Sequence, residues 1–233
     1  KASSLLALAN WISAQTGATI GYLTEAANTV GAQLAGAVPG SNGLNAGQMI
    51  GGGLKAAILL NCEPEFDSAA GAKSKETMGA LEMVVSMNPF KANMDFADVI
   101  LPIAPFTETS GSFINAEARL QSFHAVVKPL VETRPAWKVL RVLAHLLSLP
   151  DFEFASSQDV LRAVPGVRGS PENLRVVEGL LSNATLAVMD LSPAPGRPAV
   201  ADIYQLDGMV RRAPSLQMTA DGRQSAEPQE VAA

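Results

Sequence analysis

Apolar residues recur along this chain at two spacings, and the change from one to the other marks out its elements. Leu5, Leu8, Ala9 and Ile12 stand at i, i+3, i+4 and i+7 behind Ser3 and Ser4, with Gly17 placed to end the turns, so a helix is predicted over 4–16. Residues 19–23 read as a short strand, and Ala26, Ala27, Val30 and Leu34 outline a second helix. The glycine-rich stretch 36–53 reads as a long loop, a kind of segment that compact domains usually keep for function. Residues 56–60 form an unbroken apolar run between polar neighbours, the pattern of a parallel strand buried on both faces. A helix over 67–78, a β-rich run over 81–87, a short helix and a third run over 98–101 follow. Strands alternating with helices imply right-handed crossovers, hence an α/β fold with an open, mostly parallel sheet flanked by helices.

Beyond Pro102 the pattern changes. From Phe113 to Gln121 polar and apolar residues alternate, which fits an extended segment with one apolar face. Pro135 then opens a helix running to about residue 149, with Trp137, Leu140, Ala144 and Leu147 along one side. Further helices are expected over 158–163 and 172–181, then a linker at Pro193, Pro195 and Pro198, a short docking helix over 203–212 and a mobile tail over 219–233. The expected division is an α/β domain over 1–103, an extended segment with a mainly helical region over 104–213, and a flexible tail over 214–233.

Composition narrows the function classes. The net charge is −5 and the 17 basic residues are scattered, so no positive stripe exists for a nucleic acid. No apolar run reaches the roughly 20 residues of a spanning helix, so direct membrane insertion is not expected. Lys1 and the amphipathic pattern behind it suggest a fragment of a longer polypeptide and not a signal peptide. The single cysteine, Cys62, excludes an internal disulfide or a Cys-ligated iron–sulfur cluster, and two histidines, His124 and His145, make a His-rich metal site improbable.

Local motifs add little chemistry. Gly51, Gly53 and Ala56 satisfy G-x-G-x-x-A, but the triplet precedes a strand where a dinucleotide fingerprint would follow one, so the loop reading prevails. Nothing in the spacing pairs either histidine with a nucleophile, and Glu63 and Glu65 oppose thiolate formation at Cys62, which reads as structural. The segment that stands out is Ala97-Asp98-Val99-Ile100-Leu101-Pro102, followed by Glu108, Gly111, Asn115, Glu117, Arg119 and Gln121 at fixed spacing. From the residues alone it is a strand, a turn at Gly111 and an extended stretch presenting Asn115, Glu117 and Arg119, with Arg119 paired to Glu108 or Glu117.

That pattern resembles the signature closing the large α/β region of the molybdopterin oxidoreductase superfamily, matching it at Asp98, Pro102, Glu108, Gly111, Asn115, Glu117, Arg119 and Gln121. The stretches 25–39, 135–140, 204–207 and 210–214 are similar to the G-type, cluster-bearing subunit family of bacterial NADH-quinone oxidoreductase, respiratory complex I. The resemblance implies that the loops after the strands at 56–60 and 81–87 face the place of a molybdopterin guanine dinucleotide, with Asn61, Glu63, Ser86 and Asn88 as vestigial site candidates. Glu63 and Glu65 would repel its pyrophosphate by about 1 kcal/mol per exposed charge. The β-barrel that completes the pocket in molybdenum-bearing relatives has no counterpart in the helical pattern of 134–213.

For a member of that complex I family the resemblance implies a degenerate fold with no catalytic residue, metal or cofactor in this portion, iron–sulfur clusters being expected upstream. Its partners would be other peripheral-arm subunits of complex I, on the cytoplasmic side of the inner membrane. The alternative is a fragment of a true molybdopterin-dependent oxidoreductase, formate dehydrogenase-like, that binds part of the dinucleotide. A third reading is an independent α/β small-molecule module using the 36–53 loop.

Overall fold

The computed structural model describes residues 2–24, 26–169, 175–176, 182–185, 188–190, 192 and 202–226. In chain order its elements are α1 (Ala2–Thr16), α2 (Thr29–Leu34), α3 (Ala46–Ile50), β1 (Ala56–Leu60), α4 (Pro64–Asp67), α5 (Ala72–Gly79), β2 (Met83–Asn88), β3 (Val99–Pro102), β4 (Gly111–Ile114), β5 (Leu120–Phe123), α6 (Ala136–Leu146), α7 (Ser157–Ala163), β6 (Val167–Arg168), β7 (Arg175–Val176), α8 (Ile203–Leu206), α9 (Pro214–Gln217) and α10 (Ala220–Ala226). They form two compact units, each made of two stretches: residues 1–43 with 102–196, and 44–101 with 197–233. The change of pattern near residue 103 therefore marks one crossing between units out of three. The expected flexible tail carries α9 and α10 up to Ala226, and the rest of it lies outside the described residues.

The second unit is the α/β one. Its three-stranded sheet has the order β1-β2-β3, and β1 pairs with β2 in parallel from Ala56↔Met83 to Leu60↔Met87. Val84, Ser86 and Asn88 point to one face of β2 and are almost fully buried. β1 is not buried on both faces as its apolar run suggested: Ile58 is 55% and Leu60 45% exposed, because β1 lies at the sheet edge.

Three further expectations change here. The 36–53 loop contains α3, whose start is a capping box: Asn45 Oδ1 accepts from Gln48 N and Gln48 Oε1 from Asn45 N. The helix expected over 67–78 is two, broken where Gly71 takes φ +53°, a left-handed conformation that costs glycine little. No helix joins β2 to β3; the chain turns at Asn93, φ +61°, whose amide bonds hold the turn.

The first unit packs α2, the β4–β5 hairpin, α7 and β6 around Leu34, Ile114, Leu161 and Val167. Asn28 Oδ1 accepts from Ile114 N at 2.9 Å, tying the start of α2 to the hairpin. A Cβ on Gly166 would sit 2.1 Å from Leu34 Cδ1, so the packing requires glycine there. Residues 19–23 form no strand, and no strand among the described residues pairs with them. Ile20 O instead accepts from Asn183 Nδ2. The expected 172–181 helix is contradicted at Arg175–Val176, which pairs antiparallel with Val167–Arg168; its other residues and the linker prolines lie outside the described residues.

The alternating stretch 113–121 is a hairpin and not one extended run: β4 and β5 pair antiparallel from Gly111↔Phe123 to Ile114↔Leu120. α6 and α7 stand close to where the periodicity put them, α7 behind a Ser156–Asp159 capping box. The 203–212 helix is a short α8 and a separate 3-10 turn at Val210–Arg212. Among the described residues no helix is long and apolar enough to cross a membrane.

Candidate functional site

In open α/β sheets ligands bind outside the carboxyl ends of the strands, and in the second unit that place is formed by the loops after β1 and β2. β1 ends where Asn61, φ +49°, turns the chain and donates its N–H to Met87 O at 2.8 Å. Pro64 then starts α4 at its first turn, and Asp67 Oδ2 accepts from Glu63 N at 2.7 Å, which fixes the loop over the helix start. On the neighbouring strand Asn88 Oδ1 accepts from Phe90 N at 2.9 Å. Asn93 Nδ2 donates to both Ser86 Oγ, 3.0 Å, and Cys62 O, 2.9 Å, so one amide couples the two loops.

Asn61, Glu63 and Asn88 therefore line a common crevice. Ser86 does not; it is fully buried and bonded to Asn93. Glu63 departs furthest from expectation. It is not an exposed charge but a buried one, held by two arginines from the other end of the chain. Its Oε1 accepts from Arg211 Nη2 at 2.8 Å and Arg212 Nη1 at 2.7 Å, and its Oε2 from Arg212 Nη2 at 2.8 Å, so Arg212 grips it with a two-pronged fork.

Arg211 lies 3.6 Å from Asp67 and its guanidinium stacks 4.3 Å above Phe66; that of Arg212 stacks 4.4 Å above Phe90. Burial works against ionisation of Glu63, but the hydrogen bonds from Arg212 and Arg211 and then their charges outweigh it, and its pKa falls below the ordinary value. Cys62 goes the other way: burial, then the charge and hydrogen bond of Asp67, push its thiol up to about 11, which leaves it protonated at neutral pH and slow to alkylate.

The crevice does not suit a pterin dinucleotide. Its free volume is about 160 Å³ and its walls carry Glu63, Asp67 and Asp207, whereas ligand pockets of that class run to roughly 300–1,000 Å³. The two guanidiniums that would meet a pyrophosphate are engaged by Glu63, and Leu206, Asp207 and Gly208 occupy the rim. What this arrangement does chemically is hold one chain segment against another.

The residues of the 97–121 signature serve structure and are divided between the units. Asp98 Oδ2 accepts from Val84 N at 2.7 Å and its own N–H donates to Val84 O, fastening β3 to β2, and Pro102 closes β3. Glu108 Oε2 accepts from Leu130 N, and a Cβ on Gly111 would meet the Phe123 ring at 2.7 Å. Asn115 Oδ1 accepts from Glu117 N and Arg119 N, closing the hairpin turn, while Gln121 lies opposite Phe113. Arg119 pairs with neither Glu108 nor Glu117, because the turn faces it outward.

Sequence reasoning missed Arg211, Arg212, Phe66 and Phe90. One signal was present: Arg211-Arg212 is the only adjacent basic pair in the chain. Among the described residues no group of three or more His, Cys, Asp and Glu is arranged to hold a metal.

A family profile described as molybdopterin oxidoreductase matches residues 1–146. A "Putative formate dehydrogenase" of Staphylococcus aureus strain bovine RF122 / ET3-1 is 34% identical over 79 residues, 34% of this chain and 8% of that protein. Proteins of the same description from strains MRSA252 and USA300 are 33% identical over 79 residues and 30% identical over 82, covering 34% and 35% of this chain and 8% of each relative. The matched stretch is thus under a tenth of the length of these relatives.

Proposed function

Because the chain belongs to the molybdopterin oxidoreductase family, we propose that it is the molybdopterin-type portion of a redox subunit in which the fold serves as scaffold and the crevice after β1 and β2 holds no pterin. The observation that carries this reading is the occupation of Glu63 by Arg211 and Arg212: the acid is paired with both bases within the chain, and the remaining space is small and acidic. The similarity of 25–39, 135–140 and 204–214 to the G-type subunit family supports NADH-quinone oxidoreductase as the complex. The rest of that polypeptide would carry the iron–sulfur clusters that pass electrons from NADH toward quinone. Other peripheral-arm subunits would be the partners, on the cytoplasmic side of the inner membrane.

The formate dehydrogenase descriptions of the staphylococcal proteins favour a second reading, a molybdenum oxidoreductase whose dinucleotide is held by parts outside this crevice. The two are separated by cofactor content of the native full-length protein. The scaffold reading expects iron with neither molybdenum nor oxidised-pterin fluorescence after acid release. Stoichiometric molybdenum and pterin would overturn it and establish the second.

A further inference from the structure

We propose that residues 202–217 form an electrostatic strap: a preformed segment that closes the crevice in cis, is latched chiefly at the carboxylate of Glu63, and swings off as a unit. The segment keeps its own shape. Asp202 Oδ1 accepts from Tyr204 N at 2.8 Å at the start of α8, and Asp207 Oδ1 accepts from Met209 N and Val210 N at 2.9 and 2.8 Å. Gln217 Nε2 donates to Tyr204 O and Val210 O, both at 3.0 Å, drawing the two ends together, and Arg211 also donates to Gln205 O. None of these bonds depends on the sheet.

The attachment is of another kind. None of the apolar side chains of the strap is buried: Ile203, Leu206, Met209 and Leu216 are all exposed. Tyr204, Val210 and Ala213 are only half-buried, so the fully buried apolar anchor that normally fixes a docked segment is lacking. Two guanidiniums take its place, converging on Glu63 and lying on Phe66 and Phe90. Closure also leaves Arg211 Nε buried without a hydrogen-bond partner, a cost of the closed state that opening into water removes. Glu63 thus holds both arginines, with Asp67 at 3.6 Å as a second and looser contact of Arg211, and loss of Glu63 weakens both attachments together.

Cys62, the sole thiol, lies between Asn61 and Glu63 in the covered loop and reports on the strap. The test measures iodoacetamide labelling of Cys62 in the full chain, each rate divided by that form's own thiolate fraction from the pH dependence of labelling, together with amide exchange of Val84 and Met87 in β2. E63Q and the double variant R211M/R212M are each expected to label at least tenfold faster than the parent, and in every form the opening that exposes Cys62 should be far more frequent than the unfolding that exchanges Val84 and Met87. R162M, which removes the Arg162–Asp159 ion pair of the first unit, should label at the parent rate.

Raising salt from 0.05 to 1 M should accelerate labelling of the unmutated chain, which keeps the test valid if a variant misfolds. Unchanged labelling in both variants and in salt would overturn the strap. So would a labelling opening no more frequent than the unfolding that exchanges Val84 and Met87 in the parent, since the segment would then open only with the sheet. This inference goes beyond the scaffold reading: metal content decides that reading, thiol accessibility decides this one.

Discussion

At the scale of single residues, Glu63 carries more consequence than any other position of the crevice. A buried carboxylate with two guanidinium partners gains little over an apolar replacement of the whole cluster, but removing one member leaves charge without compensation. Glu63→Gln is therefore expected to cost about 3 kcal/mol at neutral pH, read as a lower urea midpoint. The pH dependence follows from the direction of the shift. The folded pKa lies below the ordinary 4.5, so Glu63 adds stability that is fully present above 4.5 and lost as pH falls through the folded value. The gap between parent and Glu63→Gln should hold from neutrality down to about 4.5 and close as the pH falls further through the folded value, and a gap that stays constant in acid would show that charge is not its source. None of this was legible locally. Glu63 beside Glu65 reads as an exposed acidic loop, and the partners that bury it lie 148 and 149 residues away, beyond the reach of any periodicity.

At the scale of elements, the β4–β5 hairpin shows how a sequence signature becomes geometry. Asn115 accepts two turn N–H groups, and Ala118 sits at φ +61°, a left-handed conformation that a Cβ makes unfavourable. Asn115→Ala should cost about 1 kcal/mol, whereas Ala118→Gly should gain about 0.5 kcal/mol, the relief of strain exceeding glycine's added entropy in the unfolded chain. Thermal melts of the two single variants check both signs. Elements with a strong local signal were legible: α1, α6, α7 and the three strands of the sheet lie within a few residues of where apolar spacing puts them. The hairpin was not, because period-two alternation looks the same in a continuous strand and in two strands joined by a tight turn. α3 was hidden by its glycines, although the Asn45-x-x-Gln48 cap was there to be read.

At the scale of the whole molecule, the second unit is assembled from residues 44–101 and 197–233, so its last stretch is a working part and not an appendage. Truncation after residue 196 should lower the urea midpoint, and Glu63→Gln made in the truncated chain should cost less than half of what it costs in the full one, since its partners are already gone. Equal costs in the two backgrounds would mean that the arginines do not act through Glu63. The discontinuity also has a consequence in time. Ribosomes deliver the chain from its N-terminus at about 5–20 residues per second, so the 148 residues between Glu63 and Arg211 take roughly 7–30 s to appear. Throughout that interval the nascent loop holds an acid whose bases have not been made, and the ionised side chain favours hydration over premature collapse of the β1–α4 corner. Closure of this corner is thus timed by translation: the neutralising pair arrives late in synthesis, well after the loop it closes over.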